Sequence, residues 1–396
     1  MILQLKDLDL KGKRVLVRVD FNVPMAKDGT ISDDSRIKAS LPTVQAIVAK
    51  GGKVILMSHL GRPKGVTPTL TLKPCAERLS KLLGKPVGFV DDCIGPKVEE
   101  AVARMKDGDI LLLENLRFYK AEEDPSADPE FVKKLARLGD VYVNDAFGTA
   151  HRAHASTAVI AQYFPKKAAA GLLLLKEIEA LGSALKNPKR PFVAIVGGAK
   201  ISTKLGVMKS LLEKADQLLI GGAMAYTFMK SAGIATGTSP VEESMLGEAK
   251  SILENTKKVF LPLDLVVASD FKEDAPSKII DAPLGIPDGF QGMDIGPKTL
   301  EAWKPILSKA KTIFWNGPVG VFEFPAFAKG TKALGTLVAN CKQAFSIVGG
   351  GDSIAALEQA GLQSAISHVS TGGGASLEFI EQGTLPGIQA LEKAAG

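Results

Sequence analysis

Phe192–Lys204, FVAIVGGAKISTK, reads as a turning point in a parallel α/β sheet. The apolar run Phe192–Val196 has the length of a short buried strand. Gly197 and Gly198 allow a tight turn with close backbone approach, and Ala199 onward reads as the first turn of a helix. Lys200 and Lys204, four residues apart, would then share one helix face near the positive end of its dipole. Two ammonium groups held there repel each other unless an anion lies between them, and a phosphate chain suits the position. An ordinary strand-to-helix turn with two solvated lysines fits the same residues, so the rest of the chain has to decide.

Strand-like runs alternate with helix-like patterns on both sides of this segment. Before it come Arg14–Asp20, Val54–Ser58, Val87–Val90, Ile110–Leu113 and Val141–Val143. From it onward come Phe192–Val196, Gln217–Ile220, Val259–Leu261, Thr312–Trp315, Phe345–Val348 and His368–Ser370. Amphipathic stretches such as Arg36–Lys50, Pro74–Leu83 and Thr331–Cys341 separate them. Alternation of this kind predicts parallel sheets covered on both faces. Two series predict two doubly wound α/β domains, 1–186 and 187–383. The long helix expected at Leu172–Leu185 and the connector Lys186-Asn187-Pro188-Lys189-Arg190-Pro191 between them would serve as a helical hinge. Val267–Ile286 breaks the alternation and is expected to be a hairpin excursion.

A chain of 396 residues, 45% hydrophobic and 23% charged, has the balance of a soluble protein with two cores. Its three cysteines, Cys75, Cys93 and Cys341, match neither a disulfide framework nor a metal-ligand spacing. The N-terminal stretch is broken by charges and no apolar run approaches the ~18 residues of a membrane span. A cytosolic location without membrane contact is therefore expected. The net charge of +6 lies wholly in residues 1–186, which hold 29 Lys and Arg against 23 Asp and Glu. That excess suits a small anionic ligand. With no dense basic run, no nucleic-acid motif and only 6% aromatic residues, no nucleic-acid partner is expected.

Ligands of open α/β sheets bind beyond the carboxyl ends of the strands. In the first half those exits read Asp20-Phe21-Asn22, with Arg36 opening the next helix, then His59-Leu60-Gly61-Arg62, Glu114-Asn115-Leu116-Arg117, and Asn144-Asp145 leading to His151-Arg152-Ala153-His154. Arginine forks onto phosphate or carboxylate. A lone loop arginine is usually just solvated, but four along one sheet edge, with His59, His151 and His154, form a cradle for a multiply charged substrate. The second half has glycine turns at the same places: Gly197-Gly198, Gly221-Gly222-Ala223, Asn316-Gly317-Pro318, Gly349-Gly350-Gly351-Asp352-Ser353 and Gly372-Gly373-Gly374. Bare N–H groups at helix starts bind phosphates. Asp352 can offer oxygen to Mg²⁺, and Glu323 can accept from a ribose hydroxyl. Neither GxxxxGK[ST] nor GxGxxG occurs.

An acidic substrate on one half and a nucleotide on the other point to phosphoryl transfer by domain closure. No general base stands out, which suits a carboxylate or phosphate nucleophile with no proton to lose. A two-domain anion-binding protein without catalysis and a nicotinamide-dependent dehydrogenase are the alternatives. The first is disfavoured by Asp352 and the second by the absent GxGxxG.

RVDFNVP, SHLGRP, LENLRF, HRAHAS, VGGAKISTK, WNGPVGVFE and GGGDS, in this order and over roughly Val15–Glu378, closely resemble the phosphoglycerate kinase family. The resemblance implies two Rossmann-like domains and reversible transfer of a phosphoryl group between 1,3-bisphosphoglycerate and ADP, giving 3-phosphoglycerate and ATP with Mg²⁺. It implies that Asp20, Phe21 and Asn22 meet the carboxylate and hydroxyl end of the phosphoglycerate, while His59, Leu60, Gly61, Arg62, Arg117 and Arg152 hold its phosphate. Arg36 would face the reacting carboxylate and the phosphoryl in flight, with Lys200, Lys204 and the Gly373 turn as the other catalytic groups. Gly222, Ala223, Gly292, Met293, Asn316 and Pro318 would line the adenosine pocket, with Glu323 on the ribose. Gly350, Gly351, Asp352 and Ser353 would take the phosphates, with Asp352 on the metal. A monomer is implied, with the tail 384–396 packed on the N-terminal domain. The chain departs from the pattern at Ala223, where many members carry glycine, and at Ser353, where others carry threonine.

Overall fold

Seven parallel strands make the first sheet of the computed structural model, which describes Met1–Gly396. They are β1 (Leu3–Gln4), β2 (Arg14–Arg18), β3 (Lys53–Met57), β4 (Gly88–Phe89), β5 (Ile110–Leu112), β6 (Val141–Asn144) and β7 (Ala168–Ala170), in the spatial order β1-β7-β6-β2-β3-β5-β4. Strands β2, β3 and β6 are nearly continuous apolar runs because helices cover both faces of the sheet. The order reverses between β2 and β6. Arg18 stands level with both Met57 and Asn144, so the loops leaving β2, β3 and β6 start at one height.

The second sheet repeats the plan with β8 (Phe192–Val196), β9 (Gln217–Ile220), β10 (Val259–Phe260), β14 (Thr312–Asn316), β15 (Phe345–Gly349) and β16 (His368–Val369). Its order, β10-β9-β8-β14-β15-β16, is again all parallel and reverses between β8 and β14. Asn316 is level with Val196 on one side and Gly349 on the other. The glycine turns after β8, β14 and β15 are therefore set side by side. The segment that breaks the alternation is an antiparallel sheet, β11 (Asp264–Ala268), β12 (Ser277–Asp281) and β13 (Gln291–Ile295), with β11 and β12 forming the hairpin.

The chain divides into two compact units, Met1–Glu179 with Thr384–Gly396, and Ala180–Gly383. The division falls inside the helix Leu172–Lys186 rather than in the proline connector after it. Within the first unit the C-terminal helix Pro386–Ala395 buries Ile388 and Leu391, and Gly387 N donates to the Ala150 carbonyl at 2.8 Å. All eleven strand segments read from the sequence occur. Three strands were not anticipated: β1, only Leu3–Gln4, β7, whose three alanines lack a strand signature, and β13, which pairs with β11 from beyond the expected excursion.

The reading of Ala199 as a helix start does not hold. The helix runs from Leu205 to Lys214, and Ala199–Lys204 is a series of turns with Lys204 as the N-cap. The carboxylate of Glu242 takes both the N–H of Ser202, at 3.2 Å, and its hydroxyl, holding the segment away from helical geometry. A partner forty residues further on is invisible to local periodicity. Lys200 is therefore exposed while Lys204 folds back toward the sheet, and the two do not share a helix face.

Candidate active site

The first unit gathers its charged residues on a scaffold of hydrogen-bonded polar groups. Asp20 accepts from the Arg36 guanidinium at 2.7 Å, so the first-strand exit and the helix Ser35–Ala49 are tied at the residues singled out. Asn22 Oδ1 accepts from Gly61 N at 2.8 Å and Arg117 Nη1 donates to the Gly61 carbonyl at 2.8 Å. Three strand exits are thereby joined around Gly61. Arg117 also pairs with Glu123 at 3.1 Å, while its buried Nε has no partner. Arg62 and Arg152 are exposed. The side chains of Phe21 and Leu60 are core, so either can offer a ligand only its backbone.

Asn115, Glu114, Asn144 and Asp145 belong to the frame. Asn115 donates to the carbonyls of Leu60 and Leu70, and Glu114 receives Thr71 Oγ1 at 2.7 Å and Leu72 N at 2.8 Å. Asn144 donates to Thr157 O at 3.0 Å. Asp145 accepts from Leu173 N at 2.9 Å at the start of the helix Leu172–Lys186. Burial pushes its carboxyl up to about 7. A Cβ on Gly171 would lie 2.1 Å from Asp145 Oδ1, which explains the glycine. His59 and His154 are held neutral. Burial, then the Arg117, Arg18 and Arg152 charges and His151, push His154 down to about 4. Burial beside Arg18, Arg117 and Arg36 pushes His59 well below its ordinary value.

In the second unit a cavity of about 340 Å³ is lined by Gly222, Ala223, Gly292, Met293, Pro318, Glu323 and Asp352 among the residues read from the sequence. Gly198, from the turn after β8, lies on the same wall, and Tyr226, Pro240, Phe271 and Val321, which complete much of it, were not anticipated. Phe271 comes from the hairpin and stacks, tilted, on Phe324 at 5.1 Å. An exposed aromatic in the pattern-breaking segment was the available signal. Asn316, Gly350, Gly351, Ser353, Lys200 and Lys204 are not on the cavity wall. Asn316 is buried and donates to the Gly349 carbonyl at 2.8 Å. Ser353 Oγ accepts from Gly317 N at 2.6 Å, leaving its own proton to donate elsewhere. Gly373, with φ of +53°, caps the helix Gly374–Gln382.

Backbone meets backbone where the glycine turns touch. A Cβ on Gly197 would lie 2.1 Å from the Pro318 carbonyl oxygen, and one on Gly317 would lie 2.3 Å from the Gly197 carbonyl oxygen. No side chain fits at either place, so the peptide groups themselves face the site. Lys204 Nζ donates to the Gly197 carbonyl at 2.6 Å. Burial pushes this ammonium down to about 8, against the upward pull of Asp352. An anion bound beside Nζ raises it again, so binding favours the protonated lysine. Polyphosphate binding at about pH 8.5 is thus expected to take up part of a proton, and affinity to fall as pH rises from about 7.5 to 9. Calorimetry in buffers of different ionisation heats measures the uptake, which Lys204→Met should abolish.

No group of three or more His, Cys, Asp and Glu side chains could hold a metal ion. Asp352, exposed in the first turn of the helix Gly351–Gln359 and on the cavity wall, is a single available carboxylate. No helix is long and apolar enough to cross a membrane.

Residues 5–383 match the family model described as phosphoglycerate kinase. The chain is 56% identical over 395 residues to a phosphoglycerate kinase of Dictyoglomus turgidum, covering 99% of this chain and 98% of the relative. It is 54% identical over 396 residues to a cytosolic phosphoglycerate kinase of Nicotiana tabacum, covering 98% of each. The solved phosphoglycerate kinase of Coxiella burnetii superposes with a TM-score of 0.91 at 42% identity, with both chains covered in full. On sequence, architecture and coverage together, the chain belongs to the phosphoglycerate kinase family.

Proposed function

We propose that the protein catalyses reversible, Mg²⁺-dependent transfer of a phosphoryl group between 1,3-bisphosphoglycerate and ADP, giving 3-phosphoglycerate and ATP. The observation that carries this reading is the pairing, in one chain of this family, of arginine-rich strand exits in the first unit with a glycine-walled cavity in the second. Arg36, Arg62, Arg117, Arg152 and His59 bind the phosphoglycerate. Asp20 and Asn22 orient its hydroxyl and carboxylate end. Gly222, Gly292, Met293 and Pro318 enclose the adenine, with Glu323 on the ribose.

A β-phosphate oxygen of ADP attacks the acyl phosphorus, and the bond from phosphorus to the carboxyl oxygen breaks. In reverse the carboxylate attacks the γ-phosphorus of ATP. Neither nucleophile carries a proton that must be removed, so positioning and charge stabilisation suffice. Arg36, Lys204, Lys200 and the N–H groups at the Gly373 turn supply the stabilisation. Mg²⁺, when bound, neutralises phosphate charge. Asp352 fits it, since this cation is usually held by one or two carboxylates together with phosphates and water. The helix Leu172–Lys186 and the connector after it are the proposed hinge for closure. A cytosolic monomer completes the reading, and light scattering on a sizing column should return a mass near 41.7 kDa.

The test is a coupled assay with MgATP and 3-phosphoglycerate, trapping the acyl phosphate with glyceraldehyde-3-phosphate dehydrogenase and following NADH. Turnover that needs both substrates and Mg²⁺ is expected; absence of turnover with both ligands bound would leave a binding protein instead. Arg62→Ala is expected to raise the Kd of 3-phosphoglycerate roughly tenfold or more, because one charge-assisted contact is lost. The Kd of MgATP should hold within about twofold. Equal losses for the two ligands would contradict the division of labour.

A further inference from the structure

Arg18 is the largest charged side chain in the core, 1% exposed, and none of the roles above uses it. It sits at the end of β2, in the first unit, and all its partners are buried. Nε donates to Ser156 Oγ at 2.7 Å, and Nη1 donates to the Val19 carbonyl. Nη2 lies 3.8 Å from Glu122 Oε1 and 3.1 Å from His59 Nδ1. Glu122 is fully buried and receives Ser156 Oγ at 2.5 Å and Ser156 N at 3.1 Å. Tyr142 OH donates to the Ser156 carbonyl at 2.7 Å and holds that residue in place.

The direction of every hydrogen in this network is determined. A guanidinium keeps its protons and has only donors to offer. Ser156 Oγ, accepting from Arg18, must donate to Glu122. Nδ1 of His59, facing Nη2, must be the acceptor, and a neutral imidazole with an acceptor at Nδ1 carries its proton at Nε2. We propose that the Arg18–Glu122–Ser156 network locks His59 as the Nε2–H tautomer, making it an uncharged hydrogen-bond donor to the anionic substrate of the first unit.

The charges around His59 favour the same state. Arg18, Arg117 and Arg36 face it, together with neutral His154, and a further positive charge on the ring would be repelled by all three guanidinium groups. A donor without a charge adds directionality where charge is already plentiful. Arg18 and Glu122 act through His59 and are positioning residues. Arg18 provides the donor, and Glu122 offsets its charge so that it can be buried.

The proposal rests on His59 belonging to the phosphoglycerate site, and the experiment separates the two claims. In protein labelled with ¹⁵N at histidine, long-range ¹H–¹⁵N spectra distinguish the tautomers directly. The His59 signals are assigned by their loss in His59→Gln. The expected result is a pure Nε2–H ring that does not titrate between about pH 8 and pH 5.5. An Nδ1–H ring, or one that charges in that range, overturns the proposal. Adding 3-phosphoglycerate should shift Hε2. A locked ring that ignores 3-phosphoglycerate supports the tautomer and overturns only the placing of substrate at His59.

Arg18→Met alone strands the buried Glu122, so the double variant Arg18→Met/Glu122→Gln is the informative one. It should show mixed tautomers and a KM for 3-phosphoglycerate raised roughly tenfold, with the KM for MgATP unchanged. Retention of the pure Nε2–H tautomer in the folded double variant would show that the network does not set it. His59→Gln, whose amide donates near the Nε2 position, should keep more 3-phosphoglycerate affinity than His59→Asn. The reverse order counts against a donor at Nε2.

Discussion

Arg36→Ala is expected to lower kcat roughly 10³–10⁵-fold, the range for arginines that act on a phosphoryl group in transfer. The KM for MgATP should change by less than about threefold, since uniform nucleotide binding is untouched. Arg36 is the second residue of its helix, half-exposed, and its Nη1 is fixed on Asp20 at 2.7 Å. One side of the guanidinium is thus anchored, leaving the other donors free for substrate. That arrangement pre-orders the side chain, so little entropy is lost as charge builds up on the moving group. Arg36→Lys keeps the charge without the fork and should fall between the wild type and Ala. Stopped-flow and steady-state rates in the direction of ATP consumption are the measurement. A loss below tenfold with Ala would remove Arg36 from the transfer step.

Lys204→Ala should cost roughly 10²–10³ in kcat, comparable with removing one preorganised donor from a charge-stabilising site, with far smaller changes in either KM. Its ammonium lies 2.6 Å from the Gly197 carbonyl and 3.5 Å from that of Asn316, between the two turns proposed to receive the phosphates. Lys200 is exposed, has no such anchor and should lose less on the same substitution. Equal effects at the two positions would mean that exposure and anchoring do not separate their roles. An unchanged kcat in Lys204→Ala would exclude this lysine from stabilising the transition state.

The architecture was legible because each domain alternates buried parallel strands with amphipathic helices. Phe192–Val196 and Thr312–Asn316 are buried along their whole length and read as apolar runs, the second with an apolar centre, Ile313–Trp315. β7 escaped because its three alanines owe their strand geometry to β6 and β1 on either side, not to propensity. The turn at Ala199–Lys204 was misjudged because Glu242, remote in sequence, captures Ser202. In the site, charged residues on loops are visible as motifs, whereas their supports are not. Arg18 looks like one more alternating residue of RVLVRVD until its strand is seen to be buried on both faces, where a lone guanidinium must find partners. Those partners, Glu122 and Ser156, lie more than a hundred residues away.

The interlocked turns after β8, β9 and β14 bear on how the second unit folds. Gly197 N donates to Asn316 O, Gly198 N to Pro318 O, Gly222 N to Val319 O and Met224 N to Gly198 O, all between 2.9 and 3.1 Å. Each turn uses the others as its hydrogen-bonding partners, and the turn after β14 lies about a hundred residues from the other two. None can take its final shape alone, and such long-range closures come late because chain entropy must be overcome first. The proposed phosphate cradle is therefore completed only when β14 has docked beside β8. A nucleotide analogue that binds only the finished cradle would act as a reporter of that last step, and a nascent chain that has not yet emerged as far as Pro318 cannot respond to it.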